Sequence, residues 1–252
     1  MRSGTAVRLK RGGWLTTLYG HGAGAYRNWT AMSRIYFVAT DDPLGRNWTV
    51  QAVVPWQPAM GPHADGPGEP ATVRLADGRL LCVFRADAMT NYWRTESLDD
   101  GLTWSPPQRL AQPWSVKPRL LFVPALQALL LTGGRPGLFL WTSTDGGDTW
   151  QAHNLAAAHN QGVSQPADRF GAAVVNVTSA ADPRADPPQT SSYTGLALLQ
   201  QSAGAATVLV SYDRLANGWS GPPGPWGPCD TLFTMRVHLQ SRSLLSNKKI
   251  NE

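Results

Sequence analysis

The chain has 252 residues, of which 42% are hydrophobic and only 15% are charged, so it holds enough apolar material for a folded core. Its 25 glycines, 20 prolines and 11 tryptophans favour short strands joined by turns and argue against a helical bundle. The net charge of +5 comes from basic residues that are mostly scattered singly, which argues against a nucleic-acid partner. Two cysteines are too few for a disulfide scaffold or a zinc site built from cysteines alone.

The sequence gives no sign of a membrane span or a bound cofactor. No apolar run approaches the roughly 18 residues that a membrane helix needs, and the first ten residues lack the apolar segment of a signal peptide. We therefore predict no membrane span, no metal and no cofactor. Since the first strand pattern begins near Ala6 with nothing in front of it, we expect a truncated gene product.

Four stretches of the chain share a pattern of strand, tight turn and strand. They span residues 5–19, 71–84, 119–133 and 193–210. The first has Gly12-Gly13 at its turn and the second has Asp77-Gly78. Such pairs suit two-residue hairpin turns because glycine adopts a positive φ at little cost. The sequence therefore predicts four β-hairpins.

A second repeated element is an octet with the spacing Ser-x-Asp-x-Gly-x-Thr-Trp, found at 97–104 and 143–150. Looser copies run over 39–48 and 211–219. We predict a turn in which the aspartate accepts backbone N–H groups, the glycine takes a positive φ and the tryptophan packs against its own sheet. Asp99 and Asp145 are then structural residues.

These octets resemble the Asp boxes of the sialidase-type, or BNR-repeat, β-propellers, and the resemblance extends over residues 2–219. It implies an all-β fold of four-stranded antiparallel blades around an axis, with six blades in the sialidases. At about 40–50 residues per blade, this chain would hold four to five of them. We expect an incomplete propeller over 1–237, whose open blade edges allow self-association, and a polar tail over 238–252.

The predicted blades bring distant residues to one end. In an antiparallel blade, the start of the first strand and the end of the second lie together, and the octet turn lies at the opposite end. The positions that should converge are Arg2 with Gly20, Glu69 with Arg85, Lys117 with Arg135, and Tyr193 with Asp213. We therefore expect a site rich in arginine, with one glutamate and one tyrosine.

The resemblance implies a role for each of these residues. Tyr193 looks like the family's nucleophile and Glu69 like its base, while Arg85, Arg135 and Arg2 look like the three arginines that hold a sugar carboxylate. Guanidinium groups match a carboxylate with paired donors, and a tyrosine avoids the repulsion that a carboxylate nucleophile would meet. The resemblance thus implies an exo-α-sialidase-like retaining glycosidase that acts on sialylated or other acidic glycans.

One catalytic part has no clear counterpart. The family's general acid is an aspartate after the first hairpin, but residues 20–32 contain no Asp or Glu. His21, Asp65 and Asp87 are the candidates near the same end of the blades. The alternative is therefore a non-catalytic propeller that binds glycan or protein through the same mouth.

Overall fold

The computed structural model describes residues 2–3, 5–20, 33–61, 66–86, 91–179, 188–219, 221–222 and 231–241. The chain divides into two compact units, residues 1–118 and 119–252, called here the first and the second unit. Strands dominate both units, which confirms the all-β class. Within the described ranges, no helix is long and apolar enough to cross a membrane.

The first unit contains two antiparallel sheets. The first sheet consists of β1 (Arg2–Ser3), β2 (Val7–Arg8), β3 (Trp14–Gly20), β4 (Arg34–Thr40) and β5 (Thr49–Val54). Its order is β1-β3-β4-β5, and β2 also pairs with β3, so two short strands share the place of one. The second sheet consists, in spatial order, of β6 (Gly68–Arg74), β7 (Leu80–Arg85), β8 (Asn91–Ser97) and β9 (Gln108–Trp114).

The two sheets of the first unit share one hydrophobic core. Leu15 and Phe37 of the first sheet and Leu80 and Phe84 of the second sheet are fully buried in it. These residues alternate along their strands with residues that point to the other face, as the two-residue period of a strand requires. The core therefore holds neighbouring sheets face to face.

The second unit contains the other two sheets. The third sheet consists of β10 (Arg119–Val123), β11 (Ala128–Gly133), β12 (Phe139–Ser143) and β13 (Gln151–Asn154), in this order. The fourth sheet consists of β14 (Thr194–Ser202), β15 (Ala205–Arg214) and β16 (Thr231–Gln240). Two short helices follow β13, namely α1 (Leu155–Gly162) and α2 (Ala172–Val175). One core cluster joins both sheets and both helices.

The four predicted hairpins are confirmed, as β2–β3, β6–β7, β10–β11 and β14–β15. The turn at Asp77-Gly78 shows why the local sequence suffices. Gly78 has a φ of +91°, and the Asp77 carboxylate accepts the backbone N–H of Arg79 at 3.0 Å. The turn is thus closed by its own residues.

Both full octets form the predicted turn, between the third and fourth strands of the second and third sheets. Asp99 accepts hydrogen bonds from the Ser97 hydroxyl at 2.9 Å and the Thr103 backbone N–H at 2.8 Å. Asp145 makes the same two contacts in its own turn, at 2.8 and 3.0 Å. These aspartates close turns, as the sequence predicts.

The octet tryptophans do not all behave as predicted. Trp48, Trp104 and Trp150 each donate the indole N–H to the carbonyl of the glycine three residues earlier. The Trp104 ring, however, stacks on Phe37 of the first sheet, with centroids 3.7 Å apart and planes 15° apart. The prediction that each tryptophan packs against its own sheet is therefore wrong for Trp104, because the face of the neighbouring sheet offers an aromatic partner.

The two looser octets have different outcomes. Residues 39–48 form a turn between β4 and β5, in which Asp42 accepts the backbone N–H groups of Leu44 and Arg46 at 3.0 and 3.1 Å. The copy at 211–219 is wrong, because Ser211 to Asp213 lie inside β15 and pair with β14 and β16. Strand pairing on both sides leaves no octet turn at Ser211 to Asp213, and the chain turns only afterwards, at Ala216 and Asn217.

The last strand is longer than the sequence indicates. The predicted propeller ends at residue 237, whereas β16 continues to Gln240 and pairs with β15 along its whole length. The fourth sheet has three strands within the described part of the chain. Residues 242–252 of the expected polar tail lie outside the described residues. The domain boundaries and the self-association through open edges stay predictions.

Candidate functional site

The expected convergence of strand ends is present within the individual sheets. Arg2 pairs with Tyr19 in the first sheet, Gly68 with Arg85 in the second, and Thr194 with Tyr212 in the fourth. In the second sheet the octet begins at Ser97, which pairs with Leu80 at the other end of β7. The structural aspartates therefore lie away from the strand ends that carry the predicted site residues.

In the first unit, the structure brings Glu69, Arg85 and Lys117 together. The Arg85 Nε–H donates to Glu69 Oε2 at 2.7 Å, and the Lys117 backbone N–H donates to the same oxygen at 2.8 Å. Glu69 is buried, with 8% of its surface exposed. A buried carboxylate needs such partners because its charge has lost most of its water.

The backbone around this carboxylate is strained. Glu69 has a φ of +53° and Lys117 a φ of +50°, both in the left-handed region that residues with a side chain rarely adopt. Each such conformation raises the free energy of the fold by on the order of 1–3 kcal/mol, and it persists only where the surrounding structure imposes it. The pairing of β6 with β7 also shifts between Gly68 and Ala71, a bulge that redirects the glutamate. Such strain is typical of functional positions.

A buried tyrosine lies behind the glutamate. Burial raises the pKa of Tyr92 well above its ordinary value, and the negative charge of Glu69 raises it further. The Tyr92 hydroxyl donates to the Val116 carbonyl at 3.4 Å, beside the strained segment that leads to Lys117. Tyr92 therefore stays neutral and supports the loop rather than exchanging protons.

In the second unit, Arg135, Tyr193 and Trp219 form an aromatic and cationic cluster. The Arg135 guanidinium carbon lies 4.2 Å from the centre of the Trp219 ring, within cation–π range. The Tyr193 ring meets the same indole edge-on, with centroids 5.4 Å apart and planes 64° apart. Arg135 is buried and Tyr193 is half-buried, while Trp219 is 44% exposed.

Asp213 fixes the main chain that carries Tyr193. Its Oδ1 accepts hydrogen bonds from the backbone N–H groups of Ser192 at 2.5 Å and Tyr193 at 3.3 Å, and from the Ser191 hydroxyl at 3.3 Å. Burial raises the pKa of Asp213, although these hydrogen bonds oppose the effect. The carboxylate thus acts as an anchor for the segment before β14.

Close backbone contact explains one glycine of the cluster. A Cβ at Gly134 would lie 1.7 Å from the Ser192 carbonyl oxygen. Only glycine lets the segment that follows β11 approach the segment that precedes β14 so closely. This approach brings Arg135 beside Tyr193.

Sequence reasoning missed two members of the cluster. It assigned Trp219 to an octet turn and gave Asp213 no role beyond its position at a strand end. The spacing of residues 211–219 does not match that of the octet. This mismatch indicates that Trp219 does not belong to such a turn. The contact of Trp219 with Arg135 carries no local signal, since the two residues are far apart in the sequence.

The remaining predicted residues are only partly covered. The backbone of Arg2 lies in β1, but its side chain is outside the described part of the structure. His21, Asp65 and Asp87, the candidate acids, also lie outside the described residues. That Glu69 and Tyr193 share one cleft stays a prediction. In the described ranges, no cluster of three or more His, Cys, Asp or Glu side chains could hold a metal.

Two surface clefts lie away from these residues. One of about 470 Å³ is lined by Gln200, Thr207, His238 and their neighbours at the hairpin end of the fourth sheet. Another of about 260 Å³ lies beside the 39–48 turn. Neither includes a predicted site residue.

Comparisons with known proteins agree with this architecture. The sequence profile of the BNR repeat-like domain matches residues 2–168. Among curated proteins, none is similar enough to count as a match. A protein of unknown function from Dyadobacter fermentans is 15% identical, with a TM-score of 0.60 over 94% of this chain and 53% of its own.

Two further solved structures come from proteins whose names give an activity. The K499G mutant of NanB sialidase from Streptococcus pneumoniae is 14% identical, with a TM-score of 0.53 over 93% of this chain and 30% of its own. A glycosyl hydrolase from Bacteroides ovatus is 11% identical, with a TM-score of 0.52 over 95% of this chain and 67% of its own. This chain thus spans about half of the Dyadobacter protein and 30% of NanB. The likeness shows the sialidase-like β-propeller fold.

Proposed function

Because the chain belongs to the BNR repeat-like domain family, we propose that it is a glycoside hydrolase that acts on terminal acidic sugars of glycans, as a sialidase does. The observation that carries this proposal is the cluster of Arg135, Tyr193 and Trp219. It offers a guanidinium group for a carboxylate, a phenol for nucleophilic attack and an exposed aromatic ring beside them.

Tyr193 is the proposed nucleophile. Its oxygen would form a bond to the anomeric carbon as the glycosidic C–O bond breaks, and water would later hydrolyse the tyrosyl–sugar bond. The phenol proton would pass to Glu69 as the base, and the departing oxygen would take up a proton from an acid still to be assigned. The anchored main chain of Tyr193 supports this role because attack requires a fixed geometry.

Arg85 and Arg135 are the proposed ligands of the sugar carboxylate, together with Arg2. Both described guanidinium groups are held before any substrate arrives, Arg85 by the Glu69 carboxylate and Arg135 by the Trp219 ring. A guanidinium group whose plane is already fixed loses less entropy when it binds a carboxylate. The burial of Arg135 also strengthens its attraction for a carboxylate, since little water screens it.

The alternative is a propeller that binds an acidic glycan without cleaving it. The observation behind it is the lack of Asp and Glu in 20–32, where an acid would be expected. Both functions use the same arginines, so binding alone does not separate them. Turnover does, because only the hydrolase transfers the sugar to water.

The test is turnover of a fluorogenic sialoside by the full chain, beside binding of a non-hydrolysable thiosialoside measured by calorimetry. We expect Tyr193→Phe to abolish turnover and to leave binding nearly unchanged, because only the hydroxyl is removed. Tyr36→Phe, which changes another half-buried tyrosine, is the matched control and should retain both. If Glu69 acts in the same step, Glu69→Gln alone should also abolish turnover.

The outcomes separate the two functions. Wild-type protein that binds the thiosialoside and never releases the fluorophore would support the non-catalytic function and refute the hydrolase. Protein that does neither would refute both. Arg85→Lys should weaken binding, because a single ammonium group cannot match a carboxylate with paired donors.

A further inference from the structure

We infer that Trp219 is a positioning residue that sets the orientation of the Arg135 guanidinium group and thereby the selectivity for a carboxylate; this rests on the proposed acidic-sugar site. The sequence predicts a structural role in a turn for Trp219. In the structure, its ring centre lies 4.2 Å from the Arg135 guanidinium carbon, within cation–π range, and meets the Tyr193 ring edge-on with centroids 5.4 Å apart.

Three separate segments of the second unit meet at this tryptophan. The chain after β11 supplies Arg135, the chain before β14 supplies Tyr193, and the chain after β15 supplies Trp219. The third segment is tied to the second, since Thr190 and Leu215 exchange two backbone hydrogen bonds of 3.2 and 2.7 Å. These bonds fix the main chain at Leu215, four residues before Trp219.

The segment is held at one more point. The Gln189 backbone N–H donates to the Ala216 carbonyl at 3.0 Å, and the Gly218 N–H donates to the Leu215 carbonyl at 3.4 Å. These contacts close a short loop immediately before Trp219. A ring placed by such a loop can impose a fixed plane on its neighbours.

The exposure of Trp219 distinguishes it from a core residue. The residue is 44% exposed, whereas the fully buried Trp141 lies in the middle of β12. An aromatic ring that serves packing alone lowers the free energy most when it is buried. A large exposed ring that contacts a buried cation is instead typical of a binding surface.

The contact with Trp219 defines what Arg135 can recognise. The N–H donors of a guanidinium group lie in one plane, and an aromatic ring beside the group limits how that plane can turn. That plane suits the two oxygens of a carboxylate, which accept parallel hydrogen bonds. A carboxylate methyl ester offers no charge and no second equivalent acceptor, so orienting Arg135 should favour the acid over its ester.

The experiment measures this selectivity in the full chain. The probes are the α-methyl glycoside of N-acetylneuraminic acid and its C1 methyl ester, titrated by NMR into wild type and Trp219→Leu. We expect affinity for the acid to fall about tenfold, the size of a partly desolvated cation–π contact. Affinity for the ester should change less than twofold, so that the ratio of the two affinities also falls severalfold.

Trp48→Leu is the matched control, since Trp48 is 42% exposed and lies in the 39–48 turn of the first unit. It should leave both affinities unchanged. Trp219→Phe keeps an aromatic face and should restore most of the selectivity, which also covers the case in which Trp219→Leu fails to fold. Melting curves from circular dichroism identify folded variants.

Three results would overturn the inference. Trp219→Leu could leave the affinity for the acid unchanged, or it could weaken acid and ester alike, as a purely structural role would. Trp219→Phe could fold normally and yet behave like Trp219→Leu. Wild-type protein that binds neither probe would instead refute the proposed function itself, and the role of Trp219 would fall with it.

Discussion

The Asp99 turn offers a direct test of how the octets stabilise the propeller blades. Asp99→Ala removes an acceptor of hydrogen bonds from the Ser97 hydroxyl, the Thr103 backbone N–H and the Thr103 hydroxyl. At a net contribution of about 1 kcal/mol per hydrogen bond, with a reduction because the carboxylate is exposed to water, we expect about 2 kcal/mol of lost stability at pH 7. Urea unfolding followed by circular dichroism measures this loss.

The same hydrogen bonds make the effect depend on pH. The side-chain hydrogen bond from Thr103 is the largest cause that lowers the pKa of Asp99, from 3.8 to about 2. A carboxyl group whose pKa is lower in the folded state stabilises the fold fully above its unfolded pKa, roughly 4. That stability is lost as the pH falls through the folded value. The difference in the free energy of unfolding between wild type and Asp99→Ala should therefore fall, by pH 3, to about half of its value at pH 7.

The control is Asp41→Ala, which removes another exposed aspartate. The Asp41 carboxylate accepts no hydrogen bond from any residue that the structure describes. Asp41→Ala should therefore lower the free energy of unfolding by less than about 0.5 kcal/mol. Equal losses for Asp41→Ala and Asp99→Ala, or a difference from wild type that stays constant between pH 7 and pH 3, would show that the carboxylate does not stabilise the turn in this way.

Further predictions concern buried contacts. Gly134→Ala should destabilise the protein by about 3 kcal/mol in the same assay, because its Cβ would overlap the Ser192 carbonyl; Gly162→Ala, with nothing within 4 Å, should be neutral or slightly stabilising. Burial raises the pKa of the Cys82 thiol to about 12. One of the two cysteines should therefore resist a thiol reagent at pH 8 until the protein unfolds; rapid native labelling of both would contradict this. Trp104→Leu removes the aromatic stack between the first two sheets and should cost roughly 2 kcal/mol; an unchanged midpoint would refute that role.

The repeated units of this protein could be predicted from local sequence alone. The hairpin at Asp77-Gly78 and the turn at Asp99 are closed by hydrogen bonds between residues two to four positions apart. Interactions of this range depend on local residue order, which a single sequence displays in full. The strand patterns around these turns then fixed which residues stand at which end of each sheet, and this placed Glu69 beside Arg85 correctly.

Contacts between residues of different segments depend on how the sheets and loops pack together. The stack of Trp104 on Phe37 depends on how two sheets face each other. The residues around Trp104 and those around Phe37 do not show this arrangement in their sequence. The left-handed backbone at Glu69 is likewise imposed by its surroundings, since a glutamate has no local preference for it. The contact between Trp219 and Arg135 depends on how the chain after β11 and the chain after β15 pack together. Such long-range packing, unlike turn chemistry, has no fixed spacing in the sequence.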